Sequence, residues 1–135
     1  MNVLVDTSVW SLALRRDRPR GTPQEKELVE LISEGRVLML GAVRQELLSG
    51  IRAVEQFRKL RDRLRAFPDV AVGQEDHEEA ASCFNRCRGR GIQGSNTDFL
   101  LCAIALREDV SILTTDDDFA QFAGALRVRL HRLRG

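Results

Sequence analysis

Short runs of consecutive apolar residues punctuate this chain at Val3-Leu4-Val5, Val37-Leu38-Met39-Leu40, Val70-Ala71-Val72 and Val110-Ser111-Ile112-Leu113. A strand wetted on one face alternates apolar and polar residues, so near-continuous runs point to strands buried on both faces. The segments between them carry apolar residues at helical spacing. Strands alternating with helices imply a parallel sheet covered on both sides. Over 135 residues this predicts one α/β domain spanning 1–135, with a central parallel sheet of four to five strands flanked by helices on both faces.

The helices announce themselves by their ends. Thr22-Pro23-Gln24-Glu25 reads as a cap, a proline at the first helical position and a capping-box acid. Leu28, Leu31 and Ile32 then form a buried stripe that stops at Gly35. Gly41 ends the second strand, and a helix from Ala42 runs to about Gly50. Further helices are predicted over 51–64, 75–88, 97–108 and 116–122. The stretch from Phe99 to Leu106 is apolar on every face, which marks that helix as central. Arg15 to Gly21 and Gly89 to Gly94 read as loops, and Leu126 to Leu130 reads as an edge strand.

Net charge is +1, so the chain as a whole is not a strongly basic nucleic-acid binder. Its arginines are nevertheless clustered: Arg15, Arg16, Arg18 and Arg20; Arg58 to Arg65; Arg86, Arg88 and Arg90; and Arg127 to Arg134. Any one cluster reads most simply as a solvated helix face; several around a group of acids suit a track for a polyanion. No apolar run approaches the ~18 residues of a membrane span. Asp6 interrupts the first run, which has no basic leader, so the expectation is a cytoplasmic protein without a secretory signal. Cys83, Cys87 and Cys102 lack histidine partners, and are expected to be reduced thiols rather than zinc ligands.

The acids fall at structural punctuation. Asp6 closes the first strand, and Asp116, Asp117 and Asp118 follow the run at 110–113. Glu46 and Asp98 lie in the first turns of helices. Each acid alone reads equally well as a helix cap or a dipole partner. Together, if the first and last central strands are neighbours, their carboxyl ends gather Asp6, Glu46, Asp98 and Asp116. Four such carboxylates repel and raise one another's pKa, a conflict that a divalent cation removes. Oxygen ligands without convergent His or Cys favour Mg²⁺ or Mn²⁺. Such a site suits activation of water for attack on a phosphodiester.

These residues resemble the PIN-domain ribonucleases, and among them the VapC-type toxins of bacterial toxin–antitoxin pairs. The resemblance rests on four stretches in order. They are Asp6-Thr7-Ser8 after an apolar strand; Glu46-Leu47-Leu48-Ser49-Gly50; Asp98 ahead of Phe99-Leu100-Leu101-Cys102-Ala103-Ile104-Ala105; and Leu113-Thr114-Thr115-Asp116-Asp117-Asp118-Phe119. It implies an Mg²⁺- or Mn²⁺-dependent endoribonuclease that cuts RNA and inhibits translation, neutralised by a small VapB-like antitoxin and assembled as a homodimer. It also implies Asp6, Glu46, Asp98 and Asp116 as the catalytic, metal-binding acids. Thr7, Ser8, Thr114 and Thr115 would orient a carboxylate or water, and Asn96 would either meet a metal-bound water or cap its helix. Asp118 is the alternative to Asp116 as the fourth acid. Arg86, Arg88 and Arg90 are the candidate RNA contacts. The amphipathic helices at 23–34 and 53–64 offer apolar edges to a partner helix.

Other readings fit less well. Gly89-Arg90-Gly91-Ile92-Gln93-Gly94 has the form G-x-G-x-x-G, but a helix precedes it where a dinucleotide fingerprint requires a strand. An Mg-dependent phosphatase acting through Asp6 usually has a second aspartate two residues on, where Ser8 stands. A phospho-receiver module normally has a late lysine, and the lysines here are Lys26 and Lys59. A non-catalytic RNA-binding module is disfavoured because bare carboxylates repel phosphate. His77, set among Glu75, Asp76, Glu78 and Glu79, reads as a solvated helix start.

Overall fold

The computed structural model describes residues 1–14 and 21–134; the predicted loop at 15–20 and its arginines lie outside them. The elements in order are β1 (Val3–Val5), α1 (Thr7–Leu14), α2 (Pro23–Ser33), β2 (Val37–Leu38), α3 (Gly41–Leu48), α4 (Val54–Leu64), α5 (Gln74–Arg88), α6 (Asn96–Glu108), β3 (Ser111–Leu113), α7 (Asp118–Leu126) and β4 (Arg129–Leu130). The sheet is parallel throughout, in the order β2-β1-β3-β4. The chain therefore leaves β1 toward one edge, returns past it to β3, and continues to β4. Right-handed connections require the helices before and after that reversal to take opposite faces. β1 has strand neighbours on both sides, and Val3, Leu4 and Val5 are buried, as their uninterrupted apolar run demands.

Local chemistry explains most element ends. The Thr22 hydroxyl accepts the Glu25 N–H, and Pro23 opens α2, where a missing N–H costs nothing. Glu25 reaches back to the Thr22 hydroxyl rather than to its N–H. Every residue from Phe99 to Ala105 is buried, so α6 is the central helix, packed against α5 and β3. Phe84, Phe99, Phe122 and Phe119 form a run of ring contacts with centroids 5.0 to 5.4 Å apart that ties α5, α6 and α7 together. Gly94 sits against this run. A Cβ there would lie 2.6 Å from Phe122 Cζ and 3.0 Å from Phe99 Cζ. The last glycine of the G-x-G-x-x-G string thus serves aromatic packing, and the string follows α5, not a strand.

The helix expected over 51–64 begins only at Val54, and the one expected over 116–122 runs instead over Asp118–Leu126. Three further expectations change. The run at 70–72 is not a strand: a single parallel bridge joins Asp69 to Met39, and Val70 donates to the Met39 carbonyl. The Ala71 carbonyl instead accepts from the Arg107 guanidinium, so the ladder stops there. At the other edge only Arg129 and Leu130 pair with β3, because Leu126 still belongs to α7 and Arg127 takes a left-handed φ of 64° as the helix ends. Asn96 does not cap α6; Ser95 does, and Asn96 is the first helical residue.

Candidate functional site

Asp6 is the first residue beyond β1, and Thr114 the first beyond β3. The two strands are paired neighbours with Val5 opposite Leu113, so both residues emerge at one carboxyl edge. The chain's reversal between β1 and β3 makes this the topological switch point, where open α/β sheets offer a crevice. The Asp6 N–H still bonds to the Leu113 carbonyl at 2.9 Å, which fixes its backbone to the sheet. As a residue, Asp6 is 6% exposed.

Hydroxyls stitch the edge together. Ser8 donates to Asp6 Oδ2 at 2.7 Å, and Thr114 donates to the same oxygen at 2.9 Å. The Ser8 hydroxyl accepts the Thr115 N–H at 3.1 Å, and the Thr114 hydroxyl accepts the Asp116 N–H at 2.9 Å. Thr115 therefore contributes through its backbone. Glu46 lies on α3, and Thr7 at the start of α1 donates to its Oε1 at 2.6 Å. Asp98 closes a capping box: its Oδ2 accepts the Ser95 N–H at 2.9 Å, while its own N–H bonds to the Ser95 hydroxyl. Ser95-Asn96-Thr97-Asp98 carries the spacing of a capping box in the sequence itself, which is the local signal for Ser95.

Burial pushes the Asp98 carboxyl above its ordinary range; the Ser95 hydrogen bonds pull it back, and the charges of Asp6 and Asp116 raise it further. These three acids thus share one field. Asp116 is half-buried, and its Oδ1 accepts the Asp118 N–H at 2.9 Å, whereas Asp117 and Asp118 are exposed.

The four acids have a common arrangement. Each engages one carboxylate oxygen with a protein donor: Asp6 Oδ2, Glu46 Oε1, Asp98 Oδ2 and Asp116 Oδ1. The second oxygen of each has no protein donor among the described residues. Nor does any of the four form an ion pair with Arg, Lys or His among those residues. Uncompensated hard oxygens fit a divalent cation such as Mg²⁺ or Mn²⁺ by donor chemistry. They do not form a closed cage: among the described residues no three His, Cys, Asp or Glu side chains are grouped to hold an ion.

The remaining candidates lie outside this edge. Arg86 pairs with Glu79 at 3.1 Å, and the Arg88 guanidinium rests 5.5 Å from the centre of the Phe84 ring. Arg88 and Arg90 are exposed. Cys83, Cys87 and Cys102 are buried free thiols, and burial pushes each pKa up, so they are inert packing residues. Among the described residues no helix is long and apolar enough to cross a membrane.

FitAcB from Neisseria gonorrhoeae, 19% identical over 96% of each chain, has the same fold with a TM-score of 0.75. VapBC2 from Rickettsia felis, bound to a DNA fragment from its promoter, is 16% identical with a TM-score of 0.77, covering 97% of this chain and 98% of that one. VapBC-5 from Mycobacterium tuberculosis, of the VapBC family of toxin–antitoxin systems, is 19% identical with a TM-score of 0.68, covering 98% and 99%. At such identities the likeness establishes a common fold. No curated protein is significantly similar in sequence. The PIN domain model matches residues 3–125, from β1 into α7 and across all four acids, and the chain belongs to the PIN domain family.

Proposed function

We propose that this PIN domain is a divalent-metal-dependent endoribonuclease of the VapC type, acting as the toxin of a toxin–antitoxin pair. The observation that carries the reading is the set of four carboxylates at the β1/β3 edge, each with one oxygen oriented by the protein and one left free. PIN domains are generally nucleases, and the similar folds belong to toxin–antitoxin proteins.

Asp6, Glu46, Asp98 and Asp116 would hold Mg²⁺ or Mn²⁺. The ion, when bound, supplies charge stabilisation at the phosphate and a more acidic water. The chain's own residues supply orientation. Ser8 and Thr114 fix the Asp6 carboxylate, and Thr7 fixes Glu46. Asp98, raised by burial, holds its proton at higher pH than an ordinary aspartate, so binding of a cation competes with that proton. Arg88 and Arg90 extend from the end of α5 as phosphate contacts.

The same reading includes a cytoplasmic homodimer and a small VapB-like antitoxin. Two open grooves suit a partner helix. One, of about 330 Å³, runs along α2 beside Ala13, Lys26 and Val29. The other, of about 290 Å³, lies between the end of α1 and α4, beside Leu14, Ile51 and Leu60. Val29 and Val54 are more than half exposed on these helices. The deciding experiment maps cleaved RNA ends in cells expressing the chain against an Asp6→Asn control. Asp6→Asn keeps the side chain's size but removes a charge and a hard ligand, so cleavage should vanish while thermal stability holds or rises. Equal cleavage by the purified variant, with contaminating nuclease excluded, sinks the assignment.

A further inference from the structure

Glu46 differs from the other three acids in how it is carried. Asp6 and Asp116 sit just beyond the ends of β1 and β3, and Asp98 is locked into the capping box of the central helix. Glu46 is exposed on α3, a helix of eight residues whose N-cap, Leu40, offers no side-chain hydrogen bond. We propose that Arg44 is the positioning residue for Glu46: it holds α3 at the rotation that presents this carboxylate to Thr7 and the acidic edge. The proposal rests on the metal-dependent nuclease reading and deepens it by assigning what fixes the most weakly anchored of the four acids.

Helix geometry is the first ground. At about 3.6 residues per turn, Arg44 and Glu46 project about 160° apart around the axis, each roughly 80° from the buried seam of Val43 and Leu47. A short helix seated on two apolar side chains can roll about that seam, because apolar contact is non-directional. Hydrogen bonds on its two flanks set the angle. On one flank Thr7 donates to Glu46 Oε1 at 2.6 Å. On the other, the Arg44 guanidinium donates to Asp69 Oδ1 at 2.9 Å, to the Leu64 carbonyl at 3.0 Å and to the Phe67 carbonyl. Asp69 also braces the opening turn of α3: a Cβ on Gly41 would lie 3.1 Å from its Oδ2.

The second ground is that these contacts close a ring. Phe67, whose carbonyl Arg44 holds, packs edge-on against Trp10 of α1 with ring centroids 5.1 Å apart. The same helix α1 carries Thr7, which holds Glu46. Without Arg44 the ring opens, and Thr7 alone restrains the carboxylate. A roll of about 10° at a side-chain radius of about 6 Å moves that carboxylate by about 1 Å. Mg²⁺ accepts oxygen ligands at about 2.0–2.1 Å in near-octahedral geometry, so a displacement of that size parts ligand from ion.

The test measures Mn²⁺ binding by isothermal titration calorimetry on the full chain without RNA, and records thermal unfolding in parallel. Arg44→Gln should weaken Mn²⁺ binding about tenfold, as loss of a ligand's supporting contacts does. In a Glu46→Gln background the same change should cost less than about twofold, because the carboxylate that Arg44 positions is gone. If Glu46→Gln binds no Mn²⁺, Thr7→Val, which loosens the same carboxylate, takes its place in the cycle with the same expectation. Asp69→Asn loosens one contact only and should weaken binding by less; it replaces Arg44→Gln if that variant does not fold. Arg107→Gln is the control, since it severs a comparable clamp, to Asp76 and the Ala71 carbonyl, at the far end of α6 from Asp98. It should leave Mn²⁺ affinity unchanged. Unaltered affinity in the Arg44 variant, or in Asp69→Asn where it stands in, overturns the proposal and leaves the metal site standing. An equal loss in both backgrounds, or an equal loss in Arg107→Gln, assigns Arg44 to general stability and overturns it too. Failure of wild type to bind Mn²⁺ overturns the metal reading and the proposal with it.

Discussion

Glu27 offers a measurable electrostatic contribution far from the acidic edge. It lies on α2, is 3% exposed, and is gripped by the C-terminal segment. His131 Nε2 lies 2.7 Å from its Oε2, and Arg134 reaches both of its oxygens, at 2.9 and 3.0 Å. The Arg134 hydrogen bonds chiefly, with that of His131, outweigh burial and hold the Glu27 pKa at about 2. A carboxyl moved from 4.5 to about 2 corresponds to roughly 3 kcal/mol. Arg134 is itself 43% exposed, and solvent screening lowers this to about 1–2 kcal/mol. Because the folded pKa is depressed, the stabilisation is complete above pH 4.5 and is lost as pH falls from there toward 2. Glu27→Gln removes the titration while preserving the shape of the side chain. Urea unfolding of both proteins at pH 7, 5, 4 and 3 should show a stability gap of about 1–2 kcal/mol at pH 7 that narrows steadily below pH 4.5. A gap that stays constant from pH 7 to pH 3 would mean that packing, not charge, sets the cost, and would refute the reasoning.

Among the triple aspartates, Asp116→Ala should abolish metal-dependent cleavage while Asp117→Ala leaves it nearly unchanged; a dead Asp117→Ala would shift the register of the site. RNA binding by the Asp6→Asn protein should weaken as salt rises, and Gln at positions 86, 88 and 90 should lower the slope by up to about 2, at ~0.7 per phosphate contact. An equal slope with and without the substitutions would restrict these arginines to solvating the helix end. Gly94→Ala should cost about 1–3 kcal/mol, since its Cβ meets the buried Phe122 ring; unchanged thermal unfolding would contradict that contact. A co-purified antitoxin should lose inhibition when its basic residues are changed to Ala, if one of them pairs with the carboxylates in place of the metal. Full inhibition without any basic residue would exclude that mode.

The sequence by itself determined what short-range physics controls. Uninterrupted apolar runs required strands buried on both faces, and β1 and β3 appear where those runs stand. Thr22-Pro23 started α2, and a helix apolar on every face proved central, because capping and burial depend on residues a few positions apart. The order of the acids led to the family that the PIN model then matched. Pairing partners were a different matter. Val70-Ala71-Val72 has strand composition, yet the Arg107 guanidinium takes the Ala71 carbonyl and the sheet ends there. Sequence showed hydroxyl residues near each acid but not that Thr7 would hold Glu46, 39 residues away, or that Thr114 would hold Asp6, 108 residues away. Such features depend on which elements become neighbours, and that is decided by the sheet order and the packing of the whole domain, not by any local run of residues.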